Sequence, residues 1–470
     1  KSFKYPSYDI EWQPAFQVDK NATHTKKYIK VIQKLAKGAD DVTVATDFDV
    51  EGEVIGLNVV RYACKRKDGN RMKFSTLTKE DLIEAYEKKR KTLEWGQAKA
   101  GETRHFLDWL YGINLSRALS TSIRKAGLFK TLSSGRVQGP SLKLVVDKEK
   151  EIRKFTPTPF WQLLYTGTVH KQPNNEQGPD ATHDKQNTQL VATYTEEKIF
   201  DEAKAKAVYE KVNKQDGTIS AIEKNETKSR TPTPFDLTTL QTESYRSLRI
   251  APKDTLSLAQ ELYTNVWVSY PRTSSQQLPP EIGYRKILES LKRHSTYKPL
   301  AEQLLAGKKL FPNNGKKTDP AHPAIYPTGI IPDPAKLGDR ARKVYDLIVR
   351  RFMATFADDA RRETNKITID VHGEHFIAKG TRTTYQGWFT YYGPHVKLEE
   401  EELPKVIQGE AVRYKKVQKL AKETQPPKRY TPASLIKELE KRNLGTKATR
   451  AAIIDTLFQR GYVAQKTLEP

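Results

Sequence analysis

The sequence predicts a multidomain protein that opens as an α/β unit and continues as helical and β-rich regions that interrupt one another. Three observations carry this reading. The chain has 470 residues, roughly three times a typical domain of about 150, so two to four packing units are expected. A short apolar run at 42–45 lies between helical patterns at 25–35 and 52–64, as a buried parallel strand lies between helices. Alternation of apolar and polar residues, the mark of half-buried strands, occurs at 158–170 and 190–197 and returns at 366–379 after a long helical stretch.

Taken in order, a second strand is predicted near 72–74, followed by a strongly helical stretch over 79–142 with a glycine-rich break at 133–139. Residues 171–189, rich in Asn, Gln, Asp and Pro, read as a mobile loop, and 228–235, with two prolines, as a boundary. Helical sequence then runs to 356, broken by the Pro/Gly/Lys segment 311–334. Strand alternation is predicted again at 388–396, and 430–463 reads as a compact pair of helices. No solenoid repeat is present.

Lys and Arg number 81 against 57 Asp and Glu, a net charge of +24. The surplus is spread through basic runs at 65–67, 88–91, 308–309, 316–317 and 415–416, while the one acidic block, 399–402, reads as a solvated loop. Charge dispersed through folded sequence favours a groove that wraps nucleic acid, although solubility alone is an ordinary use of it. A single cysteine, Cys64, excludes a disulfide framework and any multi-cysteine metal site within the chain. No apolar stretch approaches the roughly 18 residues of a membrane span. The chain starts at Lys1 in polar sequence, neither a secretory signal nor a usual translation start, and is expected to begin inside a domain.

Five segments carry candidate chemistry. After the 42–45 run come Asp47, Asp49 and Glu51, whose period-two spacing points all three carboxylates to one face of an extended chain. Like charges so close are tolerable around a divalent cation, and oxygen-only ligands favour Mg²⁺; a solvated acidic turn is the plainer alternative. A calcium loop is rejected because its twelfth position would be Asn58. In Ser269-Tyr270-Pro271-Arg272, a phenol and a guanidinium two residues apart suit phosphoryl transfer to tyrosine, with arginine on the non-bridging oxygens, though Tyr-Pro turns are common. His322, flanked by prolines, could shuttle a proton or simply pack. The run 133–139 around Arg136 could form a backbone-rich phosphate pocket or a plain turn. In Gly445-Thr446-Lys447-Ala448-Thr449-Arg450, a helix N-terminus, two hydroxyls and two cations could bind an anion, or serve only as a helix cap.

As an ordered set these segments are far more specific. Asp47-Phe48-Asp49-Val50-Glu51-Gly52-Glu53 resembles the metal site of a TOPRIM domain. Joined with Asp108-Trp109-Leu110-Tyr111-Gly112, Ser134-Gly135-Arg136-Val137-Gln138, Pro234-Phe235-Asp236-Leu237, Ser269-Tyr270-Pro271-Arg272-Thr273, His322-Pro323-Ala324-Ile325 and the Gly445 run, it resembles the type IA DNA topoisomerases, nearest the archaeal topoisomerase I and topoisomerase III forms.

The resemblance implies a TOPRIM α/β domain within a toroidal core of four domains interrupted by insertions. These are 1–88 (TOPRIM); 89–157 with 425–470 (helical, DNA-binding); 158–234 with 360–424 (β-rich arch); and 235–359 (helical, bearing the tyrosine). It implies that Tyr270 is the nucleophile, forming a 5′-phosphotyrosine, with Arg272 on the cleaving phosphate and His322 assisting. Asp47, Asp49 and Glu51 would hold Mg²⁺. Arg104, Asp108, Ser134, Arg136, Gln138 and Thr449 match positions lining the strand groove, beside Thr446, Lys447 and Arg450 of the anion-site reading. The implied partners are single-stranded and negatively supercoiled DNA, without ATP or membrane, for a monomer of the cytoplasm associated with the nucleoid.

The family's first strand carries a glutamate that falls before Lys1, so the chain is expected to be incomplete at its N-terminus. Phe48 and Val50 stand where bacterial members commonly have Pro and Arg, and Asn265 where many have glycine. The competing readings are another TOPRIM enzyme, nuclease or primase, and an inactive or truncated fragment that only binds single-stranded DNA.

Overall fold

The computed structural model describes residues 5–170, 187–307, 310–464 and 468–469. Its contacts divide the chain into two compact units, each assembled from separated stretches. One comprises Lys1–Glu149, Thr233–Phe352 and Arg429–Pro470, the other Lys150–Pro232 and Met353–Lys428.

In the first unit, β1 (Thr43–Val44) pairs in parallel with β2 (Asn70–Arg71). The helix Val50–Asn58 follows β1 and continues through a π turn, Val59–Ala63. Val44, Leu57 and Val60 close over Leu93 and Ala98, the burial for which the apolar run 42–45 selects. The second strand falls two residues before the predicted 72–74. Met72 and Phe74 are buried in a separate cluster with Ala85, so their apolar character marks packing rather than the ladder itself.

The predicted extended run through Asp47, Asp49 and Glu51 is also corrected. Asp49 is the N-cap of Val50–Asn58, its carboxylate accepting from the Gly52 amide at 2.8 Å, and this places Glu51 in the first helical turn. Gly52 is required there: a Cβ would lie 2.0 Å from the Asp47 carbonyl oxygen.

The helical expectation over 79–142 resolves into Lys79–Glu87 and the 31-residue helix Trp95–Lys125, followed by Gln138–Lys154, with the glycine-rich break lying between the last two. Helix Pro252–Thr264 ends at Asn265, after which Val266 turns the chain with φ 69°. Beyond it Val268 bridges Pro327 and the Ser269 amide donates to the Tyr326 carbonyl at 2.9 Å, so residues 267–270 and 325–328 lie side by side, while Ile325 also bridges Phe235. The tail is the expected pair, Pro432–Lys441 and Arg450–Gln459, packed through Leu435, Leu439, Ile454 and Leu457.

Among the described residues, the second unit is built on a closed antiparallel barrel. Its strands are β3 (Pro159–His170), β4 (Asn187–Tyr194), β5 (Gly217–Ser229), β6 (Ala360–Val371), β7 (Glu374–Tyr385) and β8 (Ala411–Glu423), in the order β3-β4-β7-β6-β5-β8. Closure leaves no edge strand exposed. Tyr165, Ile367, Ile369, Phe376 and Val412 fill the interior with Ala205, Val208 and Val212 of the helix Glu202–Val212. Gly167 sits at a bulge, where a Cβ would meet Val412 at 2.4 Å.

Residues 171–186 of the predicted mobile loop lie outside the described residues, as do 308–309 of the basic runs; 187–189 already belong to β4. Residues 388–396 are not a strand but a helical turn, Phe389–Tyr392, then Gly393–His395. Trp388, Phe389, Tyr391 and Tyr392 recur at helical spacing, and Gly393-Pro394 stops the helix.

Candidate active site

A buried arginine builds the acidic loop. Arg71, at the end of β2, is fully buried and forms an ion pair with Glu53 at 2.7 Å, and Glu53 in turn accepts from the Glu94 amide at 2.8 Å. The remaining Arg71 guanidinium nitrogens donate to the carbonyls of Thr46, Met72 and Asp47, each at 2.8 Å. The backbone under Asp47 and Asp49 is thereby clamped to β2. Breaking such a pair costs about 3–5 kcal/mol, because a buried charge is left uncompensated.

Tyr270 enters above this loop. Its amide donates to the Ser75 carbonyl at 2.8 Å and its side chain is 1% exposed. The phenol donates to Asp49 Oδ2 at 2.6 Å. Burial, then the charge of Asp49, pushes the phenol well above its ordinary pKa, while Arg272 acts in the opposite direction. Tyr263 makes the parallel contact, donating to Asp47 Oδ1 at 3.1 Å with its ring edge-on to Tyr270 at 5.2 Å. Asp47 is raised above the usual carboxylate range by burial and by the charge of Asp49, against the Tyr263 bond and Arg272. Arg272 Nε is buried with no hydrogen-bond partner, an unused donor beside the tyrosine.

His322 closes the other side, its ring 4.6 Å from that of Tyr270. Its Nε2 faces the Phe48 carbonyl oxygen at 3.1 Å, so Nε2 carries the proton and Nδ1, 3.1 Å from Ser75 Oγ, accepts. Burial lowers its pKa to about 4. A depressed histidine stabilises the fold fully above its unfolded value near 6.5 and loses that contribution as pH falls toward 4, at most about 3 kcal/mol. His322→Gln should therefore flatten the decline of melting temperature between pH 6.5 and 4; a decline as steep as in the wild type would contradict a buried neutral imidazole.

The other expected site residues form a second group. Arg136 pairs with Asp108 at 2.8 Å, and Arg104 reaches the same carboxylate at 3.5 Å; Arg136 is exposed, Asp108 and Arg104 half-buried. Ser134 is held by Ser116, whose hydroxyl accepts from the Ser134 amide at 3.0 Å, and Gln138 begins the helix Gln138–Lys154. A Cβ on Gly445 would lie 3.4 Å from Val137 Cγ1, so the Ser134–Gln138 and Gly445–Arg450 segments adjoin. The Thr446 amide donates to Thr449 Oγ1 at 3.0 Å. Lys447 pairs with the buried Asp319. Arg450 corrects the anion-site reading. Only 8% exposed, it donates to the carbonyls of Leu444 at 3.0 Å and Gly445 at 3.2 Å, and so braces the turn from inside.

Glu51 does not join Asp47 and Asp49; its carboxylate lies 3.2 Å from His105 Nε2. Among the described residues no group of three His, Cys, Asp or Glu side chains is assembled for a metal. Asp47 and Asp49 alone fit a hard cation: an oxygen-only pair whose mutual repulsion, visible in the raised Asp47, a cation would relieve. Sequence reasoning missed Arg71, Tyr263 and Asp319. Arg71 lies on a two-residue strand, Tyr263 reads as one apolar position of a helix, and Asp319 sits in a Pro/Gly/Lys segment with no local pattern.

Residues 14–77 match the Toprim domain and residues 92–470 match the DNA topoisomerase family. The chain belongs to the type IA DNA topoisomerase family. It is 44% identical over 99% of its length to DNA topoisomerase 1 of Pyrococcus horikoshii, of which the match covers 66%. It is 45% identical over 98% of its length to that of Methanocaldococcus jannaschii, covering 57%. The chain thus spans less than two thirds of either relative. The fold resembles full-length topoisomerase I of Thermotoga maritima with a TM-score of 0.72 and 26% identity, over 95% of this chain and 71% of that one. A family match running so far beyond the Toprim segment does not favour a nuclease or primase. No helix among the described residues is long and apolar enough to cross a membrane.

Proposed function

We propose that this type IA topoisomerase chain breaks and rejoins one DNA strand through Tyr270, relaxing negative supercoils without ATP. The observation that carries the reading is the Tyr270 phenol, packed against His322 and within reach of the Arg272 charge, with its proton directed at Asp49. In the cleavage step Tyr270 Oη bonds to phosphorus as the P–O3′ bond breaks. The phenolic proton passes to Asp49 and from it to the leaving 3′ oxygen, and the strand's 5′ phosphate stays on the tyrosine. Religation is the reverse, so the bond energy is conserved and no nucleotide is consumed. Arg272, with its unused Nε, forks onto the non-bridging oxygens. His322, neutral and fixed to Phe48 and Ser75, packs the nucleophile in place.

Asp47 and Asp49 would hold Mg²⁺, with Glu51 joining if it leaves His105. When bound, the ion offsets carboxylate charge beside the DNA phosphate and helps to position the strand. Arg104, Asp108, Ser134, Arg136, Gln138, Thr446, Lys447 and Thr449 are proposed to line the single-strand groove. Residues 1–88, 89–157 with 425–470, 158–234 with 360–424, and 235–359 are proposed as its four domains. The reading places a monomer on cytoplasmic, nucleoid DNA.

The test is strand polarity. A single-stranded oligonucleotide labelled at its 3′ end should leave label on the denatured protein, and one labelled at its 5′ end should release a shortened free fragment. The opposite pattern, or none, would sink the reading. Binding should also weaken steeply with salt, with a log–log slope of about −0.7 for each phosphate neutralised. Titrations at rising KCl measure it, and a flat response would contradict a phosphate-lined groove.

A further inference from the structure

We infer that Asp319 is a positioning residue that locks three active-site segments, 272–274, 319–322 and 445–450, into one arrangement. Its side chain is 2% exposed and sits where these segments meet. Oδ2 accepts from the Ser274 amide at 3.0 Å and the Ser274 hydroxyl at 2.8 Å, two residues beyond Arg272. Oδ1 accepts from the Ala321 amide at 3.0 Å and, more weakly, from the His322 amide at 3.4 Å. Lys447, from the tail, completes the set as its ion-pair partner. One carboxylate thus holds the chain next to the arginine, the chain next to the histidine and the cation of the Gly-Thr-Lys run. Although burial alone would raise it, Lys447 and these donors hold the carboxyl at about 2, so it is ionised throughout the working range.

The inference rests on the topoisomerase reading, because only a reaction at Tyr270 gives positioning a rate to influence. The consequence is for rate rather than affinity: misplacing a catalytic group by about 1 Å costs on the order of a hundredfold. A different role would have the opposite sign. If Asp319 merely occupied Lys447 until DNA arrived, removing its charge would free a cation and tighten binding.

The experiment is single-turnover adduct formation on a single-stranded oligonucleotide, followed across strand concentrations for wild type, Asp319→Asn, Lys447→Met and the double variant. Asp319→Asn should lower the plateau rate about ten- to a hundredfold while half-saturation moves less than about threefold. Lys447→Met, at a position 24% exposed and therefore safer for folding, should lower the plateau rate too, while its half-saturating concentration rises because Lys447 also lines the proposed groove. The double variant should be no slower than the slower single, as expected for residues acting through one contact.

Hydrogen exchange of the DNA-free proteins is the second readout. In Asp319→Asn, segments 272–274, 319–322 and 445–450 should all exchange faster. An unchanged plateau rate, a lower half-saturating concentration, multiplicative effects, or faster exchange confined to 319–322 would overturn the proposal. Wild-type protein that forms no adduct but shows the coupled exchange would overturn the topoisomerase reading and leave the locking role of Asp319 supported.

Discussion

Tyr270→Phe should abolish the covalent protein–DNA adduct and lower relaxation by about 10⁴-fold or more, the scale of loss when a covalent nucleophile is removed. The ring is kept, so its edge-on packing with Tyr263 and its contact with His322 survive. What disappears is the oxygen proposed to attack phosphorus, together with one hydrogen bond to Asp49. Asp49 is only half-buried and still accepts from the Gly52 amide, so the cost to folding should be about 1 kcal/mol, a few degrees in melting temperature at most. Strand affinity should stay within about threefold, under 1 kcal/mol, because the residues proposed to line the groove are untouched. Denaturing gels, a supercoil relaxation assay and an equilibrium titration separate the three quantities. A surviving adduct would remove Tyr270 from the chemistry, and a collapsed melting temperature would mean that the tyrosine mainly supports the fold.

The sequence disclosed this site unevenly, for physical reasons. Tyr270, Arg272, His322 and the acidic pair lie in short motifs whose residue types suit the proposed chemistry, so their order alone pointed to them. The side chains that hold them are set by three-dimensional contact. Arg71 reaches back 25 residues to the Thr46 carbonyl, Tyr263 crosses 216 residues to Asp47, and Asp319 and Lys447 meet across 128. No local pattern records such distances.

The same limit explains the fold. The helix Thr25–Ala36, the tail pair and strands β3 and β4 were legible from periodicity. β5 was not, because only its first residues alternate in burial and 223–228 are charged or polar and largely exposed. β8, with Val412 and Val417 inward among lysines, was hidden likewise. The stretch 388–396 misled because aromatic residues favour strands as readily as a packed helical turn. Glu51 shows the cost of a periodicity argument without a capping argument: Asp49 starts a helix, and the side chain two residues on leaves the expected face.

Replacing both Asp47 and Asp49 by asparagine should cut relaxation by about a hundredfold or more, the scale of several kcal/mol attached to a catalytic metal, while raising thermal stability in EDTA. The two effects share one cause. Burial and the neighbouring Asp49 raise the Asp47 pKa even with Tyr263 and Arg272 opposing them. For an acid with a raised folded pKa, the stabilising contribution is present below the unfolded value and lost as pH rises through the folded one. Ionising Asp47 therefore weighs against the fold. Asparagine removes that charge and keeps an acceptor for the Tyr263 hydroxyl. A bound cation would relieve the same repulsion in the wild type, so Mg²⁺ should raise the wild-type melting temperature by mass action and leave the double variant unmoved. Scanning calorimetry with and without Mg²⁺ reads this independently of activity. Equal Mg²⁺ shifts in both proteins would place the metal elsewhere, and a lower melting temperature of the variant in EDTA would show that the carboxylates stabilise the loop rather than strain it. Wild-type behaviour in both assays would leave the pair no metal role at all.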